Sequence, residues 1–209
     1  MVPERIWKGE RYDHGRIRIG YLSADFRAHA VAYLMAGVFE HHDRKRFETV
    51  ALSTSANDGS DVRKRIEAAA DRFIDVERRS DAEIARLMRS LEIDIAVDLK
   101  GYTAEGRPGI FAHRPAPVQA QYLGYPGTMA SEHYDYLIAD PIVIPPEHRA
   151  FYSEKIAYLP GAYQCNDRNR EVSARTPARA ELGLPERGFV FCCFNNNHKI
   201  LPEIGRAHV

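Results

Sequence analysis

The chain has 209 residues, 44% of them hydrophobic and 28% charged, a globular composition with room for one full α/β domain and part of another. Its 29 Lys and Arg balance 29 Asp and Glu, which excludes the cationic excess of a nucleic-acid or membrane-surface binder. No run approaches the ~18 apolar residues of a membrane helix, and the polar N-terminus MVPERIWKGERYDHGR has no signal-peptide core. Cys165, Cys192 and Cys193 form no C-x-x-C pair, so reduced thiols buried as small hydrophobes in a cytoplasmic protein are expected. Only six of the 29 cations are lysine, so each lysine is informative.

In chain order, residues 17–23 (IRIGYLS) read as a strand, 31–39 as a helix and 47–53 (FETVALS) as a second strand. DVRKRIEAAADR is a polar helix with Val62, Ile66 and Ala69 at helical spacing, followed by a short strand over 73–76. Ser80 then caps a helix whose stripe is Ile84, Leu87, Met88 and Leu91. Strands follow at 93–99 (IDIAVDL), 119–123 (QAQYL), 136–139 (YLIA) and 155–159 (KIAYL). Such alternation predicts a mostly parallel, Rossmann-like α/β sheet covered on both faces. After Pro160 the chain turns polar, a linker with a short helix, before GFVFCCF reads as a buried strand opening another domain.

In an open parallel sheet, ligands bind beyond the C-terminal ends of the strands. The segments there are 23–29 (SADFRAH), 100–103 (KGYT), 124–128 (GYPGT) and 195–199 (NNNHK). Asp25 and His29 are four apart. Either they share a helix face and hydrogen-bond, or Asp25 caps the helix and His29 lies on the surface. The glycines of LGYPGT suit close backbone approach to a ligand, and equally an ordinary turn. Lys199 beside three asparagines offers a cation and amide donors to a diphosphate. There is no G-x-G-x-x-G, P-loop, G-x-S-x-G, H-E-x-x-H or D-x-D, and no histidine spacing that predicts a metal.

The stretches RIRIGYLSADFRAHAVAYL, RPAPVQAQYLGYPGT, YDYLIAD, YSEKIAYLP and FNNNHKI together resemble the catalytic region of protein O-linked N-acetylglucosamine transferases, the bacterial tetratricopeptide-repeat type above all. The resemblance runs from about Arg16 to Ile200. It implies the N-terminal half of a GT-B glycosyltransferase, in which two Rossmann-like domains face each other across a cleft. The implied reaction moves N-acetylglucosamine from UDP-N-acetylglucosamine to Ser or Thr hydroxyls of acceptor proteins, with inversion and without metal or other cofactor. By this resemblance His29 is the active-site histidine and Asp25 the catalytic aspartate before it. Leu123, Gly124 and Pro126 line the cleft near the donor sugar, Asn196 lies near the uridine and Lys199 contacts the diphosphate.

Departures are Ala30 where proline is frequent, Val31 where animal members carry a hydroxyl, and His198 where tyrosine is common. The expected organisation is an extension over 1–15, a catalytic domain over 16–163, a linker over 164–188, the start of the C-terminal catalytic domain over 189–203 and a foreign tail over 204–209. The expected partners are the UDP-sugar, a protein acceptor and the C-terminal catalytic half, with no nucleic acid and no membrane. Without that half, the chain alone is expected to be inactive. The alternatives are a GT-B enzyme for another nucleotide sugar or acceptor, and a non-catalytic Rossmann-like interaction module.

Overall fold

The computed structural model describes residues 4–194. The chain forms two compact units that divide after Asn169. The first holds a seven-stranded sheet in which every neighbouring pair is parallel. Its strands are β1 (Ile17–Ser23), β2 (Phe47–Ser53), β3 (Arg72–Asp75), β4 (Ile95–Asp98), β5 (Val118–Tyr122), β6 (Tyr136–Ala139) and β7 (Lys155–Tyr158). Their spatial order is β3-β2-β1-β4-β5-β6-β7, the Rossmann-like α/β arrangement that the alternation of elements predicts.

Period-two alternation on the strands divides the core in two. Ile19 and Tyr21 of β1 face one helical layer, built from α1 (Ala30–His41) and α2 (Asp61–Ala69). Leu22 of β1, with Val50 and Leu52 of β2, packs in the other cluster, beneath α3 (Asp81–Ser90) and α4 (Gly109–Ala112). Helix α1 buries Val31, Ala32, Met35, Ala36 and Phe39, a helical stripe without a charged residue. Ser80 starts α3 with a capping box: its hydroxyl accepts from the Glu83 N–H while the Glu83 carboxylate accepts from the Ser80 N–H at 2.8 Å.

Residues 4–15 belong to the first unit. The Ile6 and Trp7 N–H groups donate to the His113 and Arg114 carbonyls at 2.7 and 3.0 Å, and His14 sits between Glu92 and Asp94. At the other end, Asp167 ties the segment after β7 to α1 and α2 through Arg65, which also grips Glu40.

The second unit holds a 3-10 turn, Ala180–Leu182, closed by Gly183 in the left-handed conformation at φ 66°. The strand expected over 188–194 is not formed. A strand needs a neighbouring strand to complete its ladder, and the segment takes no place in the sheet among the described residues. Phe189, Phe191 and Phe194 are exposed there. Cys192 and Cys193 are exposed too, contrary to the expected burial, while Cys165 is half-buried. Among the described residues no helix is long and apolar enough to cross a membrane.

Candidate active site

Strand order reverses between β1 and β4. From β1 the chain proceeds outward to β2 and β3, and from β4 outward to β5, β6 and β7. The connections leaving β1 and β4 therefore diverge and open a crevice at the C-terminal rim. Leu22 pairs with Asp98 in register, so residues 23–29 and 99–103 emerge side by side.

The loop after β4 is organised by one buried carboxylate. Asp98 Oδ1 accepts the backbone N–H groups of Lys100 at 2.8 Å and Gly101 at 3.0 Å, and Oδ2 accepts the Tyr134 hydroxyl at 2.7 Å. Burial pushes the Asp98 carboxyl above its ordinary range, against the pull of these three donors. Burial, then the Asp98 charge, pushes the Tyr134 phenol up. The turn that results places the Lys100 ammonium 2.7 Å from Asp25 Oδ2, with the two side chains 8% and 2% exposed. The other Asp25 oxygen, Oδ1, is buried and has no hydrogen-bond partner among the described residues.

Asp25 is held from its own side as well, its N–H donating to Ser23 Oγ at 2.9 Å. The next residues form a loop and not the first turn of a helix, because α1 begins only at Ala30. His29 is its N-cap. The ring Nδ1 accepts the Val31 N–H at 3.2 Å, and the same nitrogen stands 3.4 Å from Asp25 Oδ2. The two readings of the Asp25–His29 spacing are each half right: the pair does meet, but across a loop and not on a helix face, and His29 does lie at the surface, but it and not Asp25 does the capping. The loop is pinned by the Ala28 N–H donating to Asp58 at 2.7 Å, and by an Arg27–Glu105 ion pair. Two backbone donors, Ala28 and then Ser60, hold the Asp58 carboxyl down to about 2.

The LGYP residues leave β5, next to β4. Leu123 adopts φ 69°, unusual for a branched side chain. Gly124 has no room for a side chain, since a Cβ there would collide with the Leu99 carbonyl. Gly101 adopts φ +54°, and a Cβ there would stand under 3 Å from the Tyr125 Cβ and the Gln121 amide nitrogen. The loops after β4 and β5 are therefore packed backbone against backbone. Gln121 Nε2 donates to the Tyr125 carbonyl, and Tyr102 packs edge-on to Tyr125. Leu123 and Pro126 line a narrow crevice with Tyr122, Ile138, Val143 and Tyr163.

Two of the sequence blocks that carry the resemblance meet through Glu154. Its carboxylate accepts the Met129 N–H at 2.6 Å and the Thr128 hydroxyl at 2.7 Å, joining YSEK to the end of YPGT.

The rim thus gathers Asp25 and His29 after β1 and Leu123, Gly124 and Pro126 after β5, the two strands that flank β4. Asn196 and Lys199 lie outside the described residues. Sequence reasoning missed Lys100 as a site residue, although its scarcity and its place directly after a strand both marked it. Asp98, Tyr134 and Glu154 carried no comparable signal, because each acts by orienting a loop.

A model of glycosyl transferase family 41 matches residues 4–175. The chain belongs to glycosyl transferase family 41. The probable UDP-N-acetylglucosamine–peptide N-acetylglucosaminyltransferase SEC of Arabidopsis thaliana is 42% identical over 194 residues, covering 90% of this chain and 20% of the relative. The UDP-N-acetylglucosamine–peptide N-acetylglucosaminyltransferase of Caenorhabditis elegans is 35% identical over 153 residues, 73% of this chain and 13% of that protein. Among solved structures, a mutant of the Thermobaculum terrenum O-GlcNAc transferase superposes with a TM-score of 0.69 at 37% identity, covering 72% of this chain and 29% of that one. The family 41 chain described here spans about a fifth of the length of the Arabidopsis relative.

Proposed function

We propose that this chain supplies the N-terminal half of the active site of a GT-B glycosyltransferase. The enzyme moves N-acetylglucosamine from UDP-N-acetylglucosamine to Ser or Thr hydroxyls of proteins. Membership of family 41 and the activities after which the plant and nematode relatives are named support the substrate class. The observation that carries the reading is the Lys100–Asp25–His29 cluster at the sheet's switch point. A buried ion pair there stabilises no core, and it leaves a carboxylate oxygen without a partner.

In the proposed reaction the acceptor oxygen attacks the anomeric carbon in line, and the bond to the diphosphate breaks as the new bond forms, inverting the centre. The leaving diphosphate takes up negative charge, so cations and N–H donors aimed at it lower the barrier. Lys199 is the cation assigned there by the resemblance. His29, its ring nearly half exposed at the rim, orients the oxygens of the reacting groups. Leu123, Gly124 and Pro126 form the wall beside the sugar. The absence of D-x-D from the sequence agrees with chemistry that needs no metal.

The test uses the longer protein that carries this domain, labelled UDP-N-acetylglucosamine and a mixture of acceptor proteins. His29→Ala is expected to abolish transfer while the circular dichroism spectrum stays that of the parent and the melting temperature falls by no more than the loss of one helix cap, about 1 kcal/mol, accounts for. Near-parental turnover by that variant overturns the assignment. Label carried only by small molecules would redirect the acceptor class.

A further inference from the structure

His29 Nδ1 faces two neighbours with opposite demands. The Val31 N–H at 3.2 Å requires a lone pair on Nδ1, whereas Asp25 Oδ2 at 3.4 Å would be met by an N–H. A neutral imidazole carries one proton, so only one of the two is satisfied. The choice fixes what the exposed nitrogen, Nε2, does. If Nδ1 holds the proton, Nε2 has a lone pair and can act as a base. If Nδ1 accepts from Val31, Nε2 carries the proton and donates.

A bare carboxylate would win this competition, since charge-assisted hydrogen bonds are about twice as strong as neutral ones. Asp25 is not bare. Its Oδ2 already accepts the Lys100 ammonium at 2.7 Å, closer than the ring, in a pair almost wholly withdrawn from water. Seen from Nδ1, the ion pair is close to neutral. The helix adds a second bias. His29 caps α1, a helix of 12 residues, where the first N–H groups need acceptors. Protonating Nδ1 would orphan the Val31 N–H and place a donor against it. The remaining nearby charges, Arg27 with Glu105 and Asp58 on the Ala28 N–H, are engaged elsewhere.

We propose that Lys100 is a positioning residue: by neutralising Asp25 it keeps the proton of the neutral His29 ring on Nε2, so this histidine meets its ligand as a hydrogen-bond donor and not as a base. The fitting ligand atom is an oxygen with a free lone pair, of a phosphate or a hydroxyl. The catalytic meaning rests on the transferase reading, whereas the placement of the proton does not.

Long-range 1H–15N correlation spectra of the histidine rings report which nitrogen is protonated. The 209-residue chain has nine histidines, and the spectrum of His29→Gln identifies the signal by its loss. At neutral pH the parent is expected to show Nε2 protonated and Nδ1 bare. In Lys100→Met the uncompensated carboxylate is expected to draw the proton to Nδ1, and in the double variant Asp25→Asn/Lys100→Met the parental pattern returns. A merely structural lysine would leave the ring unchanged in all three. A parent with Nδ1 protonated, or a Lys100→Met ring identical to the parent's, overturns the proposal. Should Lys100→Met fail to fold, Lys100→Gln is read by the same criteria. None of these spectra requires turnover, so a failure of the transferase reading in the His29→Ala assay is distinguishable from a failure here.

Discussion

The two rims of the sheet both carry charge, but they handle it in opposite ways. At the N-terminal rim the ions are shared and partly solvated. Glu48 serves Arg16, Arg18 and Arg72, each at 3.3–3.5 Å, and those arginines are 37, 24 and 50% exposed. Asp94 accepts the Arg18 N–H and holds His14, and Glu92 holds His14 and Arg18 together. At the C-terminal rim, one ammonium meets one carboxylate out of water, with an acceptor left over. Redundant, screened pairs cost little to break, whereas a desolvated pair is costly because its survivor is stranded. The second arrangement is unhelpful to folding and is therefore informative about function.

The largest expected effect tests this contrast directly. Lys100→Met strands the Asp25 carboxylate and should lower unfolding stability by about 3–5 kcal/mol in urea titrations. Glu48→Gln removes a largely buried carboxylate, but its three arginines reach water and two of them keep Asp71 and Glu92, so it should cost less, about 1–2 kcal/mol. Asp25→Asn/Lys100→Met should recover most of the single-variant loss, giving a large coupling energy in the double-mutant cycle. Equal losses for Lys100→Met and Glu48→Gln would break the comparison.

A middle-sized effect probes how the upper rim is built. Gly124→Ala pushes a methyl group into the Leu99 carbonyl, so the loops after β4 and β5 must separate. The expected cost is about 1–3 kcal/mol, read as a lower Tm. Because Leu99 precedes Lys100, the ring signals of His29 should shift as well. A Tm matching the parent's would show that the two loops are not packed as described.

Much of this was legible from the residues, and the limits follow a physical pattern. β1, β2 and β6 end where their hydrophobic runs end, at Ile17–Ser23, Phe47–Ser53 and Tyr136–Ala139. β4 is shorter than IDIAVDL suggests: Ile93 is buried before the strand starts, and Leu99 is buried after it ends. Burial extends past strand ends, so an apolar run overstates the ladder. GFVFCCF forms no ladder among the described residues, since hydrophobicity marks a candidate strand but only a neighbour makes one. At the site, the spacing of Asp25 and His29 correctly implied contact but gave the wrong geometry, because capping preference lists omit histidine. Lys100 escaped because its partner is 75 residues away, a pairing set by the order of strands and not by local spacing.

The smallest expected effect lies at the lower rim and concerns pH. The Glu92 carboxylate first, and Asp94 with it, raise the His14 imidazole above its ordinary value of 6.5. The folded state therefore binds this proton more tightly than the unfolded chain does. The stabilisation is complete below about pH 6.5 and is lost as pH rises through the folded value. His42 works in the opposite sense: burial lowers its pKa, so it withdraws stability as pH falls through the same region. The parent's pH profile mixes the two, and the difference between parent and His14→Gln isolates the first. That difference in urea midpoint should be greater at about pH 6 than at about pH 8. It should also shrink in high salt, because Glu92 is half exposed. A difference independent of pH would mean that His14 holds residues 4–15 by packing on Tyr12 alone, 5.3 Å away, and that the lower rim owes nothing to its charge.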